Sequence, residues 1–127
     1  MLLTHEHKEI YRQVRNFVDK ELNPNILEWE KAGIWPAREV LQKMGKLGLL
    51  GIAKPEAYGG LGLDYSYEVV FAQALGNCNN GSLPMAIGVQ TDMATPALAR
   101  FGSEELCKEY LAPAITGDAV VSIAVSE

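Results

Sequence analysis

The chain has 127 residues, 48% of them hydrophobic, and a formal net charge of -5, enough to bury one ordinary core. The acidic balance excludes a nucleic-acid or anionic-membrane surface, which needs clustered Lys and Arg; here Lys8, Arg12, Arg15, Lys20, Lys31, Arg38, Lys43 and Lys46 are scattered as on a solvated helix surface. No apolar run approaches the roughly 20 residues of a membrane span, and Cys78 and Cys107, far apart and without metal-ligand spacing, read as thiols of a reducing compartment.

The first segment predicts a long amphipathic helix. Thr4 can cap it, and apolar residues recur at Ile10, Val14, Phe17, Val18 and Leu22. Asn23-Pro24 breaks or kinks it, because Pro24 has no N–H and restricts the residue before it. A shorter helical piece through Ile26, Leu27 and Trp29 ends at Gly33. Pro36 suits the first turn of a second helix, with Val40, Leu41, Met44 and Leu47 on one face and Gly48 as its stop. Residues 49–53 form a short apolar run that suits an extended segment, and residues 54–64 read as irregular because of Pro55, Gly59, Gly60 and Gly62.

Asp64 or Ser66 can cap a third helix through Val69, Val70, Ala72, Ala74 and Leu75, ended by Gly76 and a polar cluster. Residues 83–100 are rich in small side chains (Ala86, Gly88, Ala94, Ala97, Ala99), which let helices approach closely. They predict the central, most buried helix, with Pro84 in its first turn and a kink at Pro96. Gly102 closes it, and Ser103 caps a last helix with Glu104 and Glu105 at the positive end of its dipole. There Leu106, Tyr110 and Leu111 are expected to face inward and Pro113 to end the helix.

The last eight residues, Val-Val-Ser-Ile-Ala-Val-Ser-Glu over 120–127, alternate like a strand. A lone strand leaves its N–H and C=O groups unpaired, and no second convincing strand exists upstream. The expected fold class is therefore all-α, an up-and-down bundle of five or six helices over 1–118. Residues 119–127 are expected to be the first strand of a β domain that lies beyond the chain.

The residues alone assemble no active site. The piece Tyr-Gly-Gly-Leu-Gly-Leu-Asp over 58–64 could cradle an anion on freed N–H groups. Neither a Lys-Ser or Lys-Thr pair nor a Gly-x-Gly-x-x-Gly spacing after a strand accompanies it, so it reads as a tight turn. His5 and His7 read as surface histidines, without a third metal ligand or a nucleophile to serve. The acids Glu28, Glu30, Glu56, Glu104 and Glu105 fall at helix ends or on polar faces. Trp29 and Trp35 read as core or interface aromatics.

Three pieces carry a resemblance: Pro-Glu-Ala-Tyr-Gly-Gly-Leu-Gly-Leu-Asp-Tyr at 55–65, Phe-Gly-Ser-Glu-Glu-Leu-Cys-Lys-Glu-Tyr-Leu-Ala-Pro at 101–113, and Ile-Ala-Val-Ser-Glu at 123–127. In that order the chain resembles, over nearly its whole length, the N-terminal part of the flavin-dependent acyl-CoA dehydrogenases. Glu-Trp-Glu-Lys-Ala-Gly at 28–33, with Gly-Leu-Leu-Gly at 48–51, is similar to the long-chain branch.

The resemblance implies a helical domain followed by a middle β domain and a second helical domain, with FAD between them and assembly into homo-oligomers. It implies oxidation of an acyl-CoA to its trans-2-enoyl product and transfer of electrons to an electron-transfer flavoprotein, in the mitochondrial matrix or cytoplasm. Carried onto this chain, it implies FAD contacts at Ile123, Val125 and Ser126, and acyl-pocket lining at Gln90 and Met93. Glu127 belongs to the strand motif and is not the catalytic base. The base and the Pro-Gly-x-Gly-Ser-Asp continuation are absent, so the chain alone is expected to be inactive. Acyl-CoA oxidases and nitroalkane oxidases look similar over this region, and a free-standing helical module that binds a partner or oligomerises is the alternative of another class.

Overall fold

The chain, seen in a computed structural model that describes residues 3–126, is helical from its first turn. Thr4 starts α1 (His5–Phe17) with a capping box, its side chain accepting the His7 N–H while the His7 ring accepts the Thr4 N–H at 3.1 Å. The helix runs on through a wide π turn (Val18–Leu22), a 3-10 turn (Asn23–Asn25) and α2 (Ile26–Ala32), then stops at the left-handed Gly33. After α3 (Ala37–Lys46) and an irregular stretch, Asp64 accepts the Ser66 N–H at 2.8 Å and caps α4 (Tyr65–Leu75).

Two composite rods follow. The first joins α5 (Ser82–Gly88), a wide turn (Val89–Ala94) and α6 (Thr95–Phe101). The second joins α7 (Glu104–Leu106), a wide turn (Cys107–Leu111) and α8 (Ala112–Thr116). Among the described residues this makes an all-α fold of five helical rods.

Each wide turn ends two residues before a proline: Leu22 before Pro24, Ala94 before Pro96, and Leu111 before Pro113. A proline inside a regular helix lacks its N–H, and its ring collides with the carbonyl four residues back. A turn whose N–H groups reach back five residues widens the spiral and makes room for that ring. Pro113 therefore does not end the last helix, as the sequence suggested; the helix absorbs it and continues to Thr116.

The main core gathers Val14, Phe17, Val18, Leu22 and Ile26 of the first rod against residues of α3, α4 and α5, among them Met44, Phe71 and Ile87. Cys107, Leu111 and Ile115 form a smaller cluster. α3 and α8 meet backbone to backbone at two glycines. A Cβ on Gly45 would stand 2.0 Å from the Thr116 carbonyl oxygen, and one on Gly117 2.2 Å from that of Leu41.

Several expectations need correcting. The rod from 82 to 101 is not the most buried helix: Leu83, Ile87, Gln90, Thr91 and Thr95 are buried, while Met85, Met93 and Phe101 are exposed. Its small residues leave one face open, and a Cβ on Gly88 would meet nothing within 4 Å. In the last rod Cys107 points inward with Leu111, its thiol against the Leu98 carbonyl at 3.4 Å, and Leu106 and Tyr110 are left exposed.

Residues 49–53 turn rather than extend. Residues 120–126 form no ladder, because no partner strand exists among the described residues, and Glu127 lies outside them. His7, read as a surface residue, is buried: its ring stacks on Tyr67 at 3.8 Å and its Nε2 lies 2.6 Å from Ser66 Oγ, tying α1 to α4.

Replacing His7 removes the capping-box partner, the stack and the Ser66 contact together. Equilibrium urea unfolding should show His7→Ala destabilised by about 2 kcal/mol. His5→Ala, on a largely exposed side chain, should stay within about 0.5 kcal/mol of the parent.

Candidate functional site

The glycine-rich loop serves to fold the chain back on itself. The N–H groups of Gly60, Leu61, Gly62 and Leu63 donate to the carbonyls of Pro55, Gly51, Lys54 and Ile52 at 2.8–3.0 Å. None of these donors is free to cradle a phosphate. Gly60 crosses so close to Lys54 that a Cβ there would stand 2.1 Å from the Lys54 carbonyl oxygen.

This crossing fixes Lys54 with its side chain turned inward and buried. Its Nζ donates to the Thr91 carbonyl at 2.7 Å and stands 4.0 Å from Glu68 Oε1. The Thr91 carbonyl needs such a donor. In a turn whose N–H groups reach back five residues, its partner would be residue 96, a proline. Lys54 supplies the missing hydrogen bond; the Thr95 hydroxyl, 3.2 Å from the same carbonyl, lies closer to that of Gln90, at 2.8 Å.

Glu68 completes the cluster from α4, only 5% exposed. Its Oε1 accepts the Ala53 N–H at 3.1 Å, whereas its Oε2 is buried and has no hydrogen-bond partner among the described residues. Burial pushes the Glu68 carboxyl above the ordinary carboxylate range; the Lys54 ammonium pulls it down, and Asp92 adds a smaller upward push. A cleft of about 470 Å³ opens beside the pair, with Tyr65, Thr91, Asp92 and Arg100 also in its lining.

Gln90 is the second centre, 1% exposed on the neighbouring position of the same wide turn. Its Nε2 donates to the Ala114 and Ala119 carbonyls at 3.0 and 2.8 Å, and its Oε1 accepts the Val121 N–H at 2.9 Å. Both amide protons and the amide oxygen are thus spent on the backbone that leads out of α8. Arg38 holds the same exit by donating to the Asp118 carbonyl at 2.8 Å.

Of the residues singled out in the sequence, Gln90 therefore points inward, while Met93 is 47% exposed on the open side of its helix. Ile123 is 43% and Val125 82% exposed, and with the exposed Ser126 they lie on the segment just past the Gln90 clamp. The fold brings Gln90 to the root of that segment.

His7, Ser66 and Asp64 come together without forming a nucleophile and base. The Thr4 N–H donates to His7 Nδ1, which leaves the ring proton on Nε2, directed at Ser66 Oγ. The Ser66 hydroxyl in turn donates to Asp64, and that bond with the Ser66 N–H holds the Asp64 carboxyl below its ordinary range. The protons run from histidine toward aspartate, the reverse of what activating Ser66 would need. Both cysteines are free thiols. Among the described residues no acidic, His or Cys group has metal-binding geometry, and no helix is long and apolar enough to cross a membrane.

Lys54 and Glu68 were not singled out by the sequence reading, and His7 was read as a surface histidine, though one signal was present for Glu68. Glu68 lies three residues before Phe71 and seven before Leu75, on the apolar stripe of α4. A charge on such a stripe marks a buried, partnered group.

The fold is that of the helical domain at the start of acyl-CoA dehydrogenases. It superposes on a crystal structure of acyl-CoA dehydrogenase from Geobacillus kaustophilus with a TM-score of 0.84 and 37% identity, over 93% of this chain and 30% of that one. An acyl-CoA dehydrogenase from Bacillus anthracis, crystallised with FAD, gives a TM-score of 0.84 at 30% identity over 91% of this chain and 20% of that one. The family described as Acyl-CoA dehydrogenase, N-terminal domain, matches residues 4–118, and the chain belongs to it. The mitochondrial long-chain specific acyl-CoA dehydrogenase of Sus scrofa is 37% identical over 99% of the chain, which spans 29% of that relative's length.

Two substitutions test the cluster and the clamp. Lys54→Met leaves Glu68 buried without its cation and should cost about 3 kcal/mol or more at neutral pH. Because the Glu68 carboxyl is raised in the folded state, its titration favours folding below the ordinary carboxylate pKa, and that contribution is lost as pH rises through the raised value. The variant's deficit should therefore shrink toward about pH 4, as followed by unfolding at both pH values. Gln90→Leu strands two carbonyls and one N–H, with an expected loss of about 3 kcal/mol. Amide exchange should then quicken at Val121, and an unchanged rate there would show that the clamp does not hold the segment.

Proposed function

We propose that this chain is the N-terminal helical domain, residues 1–118, of a flavin-dependent acyl-CoA dehydrogenase, with residues 119–127 leading into its middle β domain. The observation that carries this reading is the family match over residues 4–118, joined to 37% identity with a long-chain enzyme. The protein would remove a proton from the α carbon and a hydride from the β carbon of an acyl-CoA, giving the trans-2-enoyl thioester. Electrons would pass on to an electron-transfer flavoprotein. A homo-oligomer in the mitochondrial matrix or the cytoplasm is part of the same reading.

The residues present suit FAD. Ile123 and Val125 are exposed side by side with Ser126 on a segment whose backbone enters no ladder. Apolar side chains next to unladdered N–H groups and a hydroxyl fit the face and edge of a flat heteroaromatic ring. Ile123 and Val125 would lie along the ring and Ser126 would hydrogen-bond its edge. When bound, FAD supplies the hydride acceptor.

On the acyl side, Met93 offers an exposed, adaptable thioether. Gln90 contributes by holding the wide turn and the flavin-facing segment in fixed relation. The proton-abstracting carboxylate is assigned to no residue of this chain, so the chain alone should give no turnover with acyl-CoA and an electron acceptor.

The test is to express the full reading frame that carries this chain and record its absorbance. The reading expects bound flavin whose visible band bleaches anaerobically on adding a long-chain acyl-CoA. A protein without flavin, or a flavin unmoved by every acyl-CoA offered, would overturn it.

A further inference from the structure

The backbone that leaves α8 is held by side chains instead of by a sheet. Asp118 gives its carbonyl to Arg38 at 2.8 Å and a carboxyl oxygen to Gln42 at 3.2 Å, both on α3. The Ala119 N–H turns back to the Pro113 carbonyl at 3.1 Å. From the wide turn of Val89–Ala94, Gln90 takes the Ala119 carbonyl at 2.8 Å and the Val121 N–H at 2.9 Å. These grips are unequal. Arg38 and Asp118 are exposed, where water competes for the same bonds, whereas Gln90 is 1% exposed. A buried amide bonded three times to main chain resists displacement, because each group it released would be left unsatisfied. Past Val121 no hydrogen bond is made among the described residues. Val121 is thus the last fixed point before Ile123, which lies within roughly 7 Å of it at full extension.

We propose that Gln90 is a positioning residue for the flavin and not a lining residue of the acyl pocket; this rests on the reading in which residues 123–126 meet FAD. Its influence reaches the ring through main chain alone, from its amide to Ala119 and Val121 and on to Ile123. A lining role asks for polar atoms turned toward substrate. In Gln90 both amide protons and the oxygen already serve the backbone at Ala114, Ala119 and Val121. Loosening the clamp leaves the flavin-facing residues in place for only part of the time, and a ligand then binds more weakly in proportion to that fraction.

The experiment uses the full-length flavoprotein and two variants, Gln90→Leu and Gln90→Glu. In Gln90→Leu the Kd for FAD should rise about tenfold, as when the binding arrangement is populated about a tenth of the time. Its visible flavin band should shift. The ratio of kcat/KM between a short and a long acyl-CoA should stay that of the parent. Gln90→Glu provides the second test should the leucine variant fold poorly. While protonated, its carboxyl can keep the Val121 bond and donate to one carbonyl; once ionised, it faces the Ala114 and Ala119 carbonyls with no donor. Arg38, Asp118, Lys54 and Asp92 are the charged groups around the clamp and its wide turn, and parent and variant share them. The difference between their flavin bands and FAD affinities should therefore be small near about pH 5 and grow toward about pH 8.

A leucine variant that keeps the parent's FAD affinity and flavin band overturns the proposal. So does a glutamate variant whose difference from the parent does not change with pH. A new chain-length preference over an unmoved flavin overturns it as well, and would place Gln90 in the acyl pocket. In each of these cases flavin that bleaches with acyl-CoA leaves the dehydrogenase reading standing. A full-length parent that binds no flavin removes that reading and this proposal together.

Discussion

Pro96 takes away the N–H that the Thr91 carbonyl would otherwise accept, and the buried ammonium of Lys54 replaces it at 2.7 Å. Much of the molecule follows from that contact. A lysine brought out of water needs a counter-charge, which draws Glu68 into the apolar stripe of α4. Glu68 needs a donor, which the Ala53 N–H supplies from the loop that carries Lys54. The loop must therefore curl tightly enough to present both groups at once, and its glycines make that possible. A gap of one hydrogen bond in a helix thus dictates a loop, a buried pair and one wall of a cleft.

The adjacent residue turns the same helical irregularity to a different use. Gln90 points the other way, into the end of α8 and the segment beyond it, and spends its whole amide there. The wide turn from Val89 to Ala94 is thereby held from both sides, by an ammonium on its carbonyl and by its own side chain gripping the chain's far end. Disturbance on the cleft side has a short path to the segment that carries Ile123, Val125 and Ser126.

The helices were legible in the sequence because their signals are local. Thr4, Asp64 and Ser103 cap helices as their chemistry predicts, and Gly33 ends one in the left-handed conformation. What was not legible depended on distant groups. His7 is buried because Tyr67 and Ser66 come to it from a helix some sixty residues away. Pro113 was read as a terminator because a single sequence shows the missing N–H but not the widened turn that accommodates it. Residues 120–126 carry strand-like alternation, and alternation alone makes no strand without a neighbour to pair with. The family emerged from motifs at 55–65, 101–113 and 123–127 taken together, yet the first of these proved to position Lys54, a residue outside the motif itself.

The three wide turns that precede prolines have a consequence for how this chain compares with its relatives. A turn that closes over five residues rather than four holds one residue more than the regular helix it interrupts. The residues before and after it face the core at spacings that no uniform helical period can describe. In a relative that has lost one of these prolines, the matching helix can revert to regular form by shedding a single residue, with the core positions on both sides unmoved. Single-residue gaps inside helices, which ordinarily signal misalignment, would here fall next to Pro24, Pro96 and Pro113 and record where a spiral had been let out by one notch.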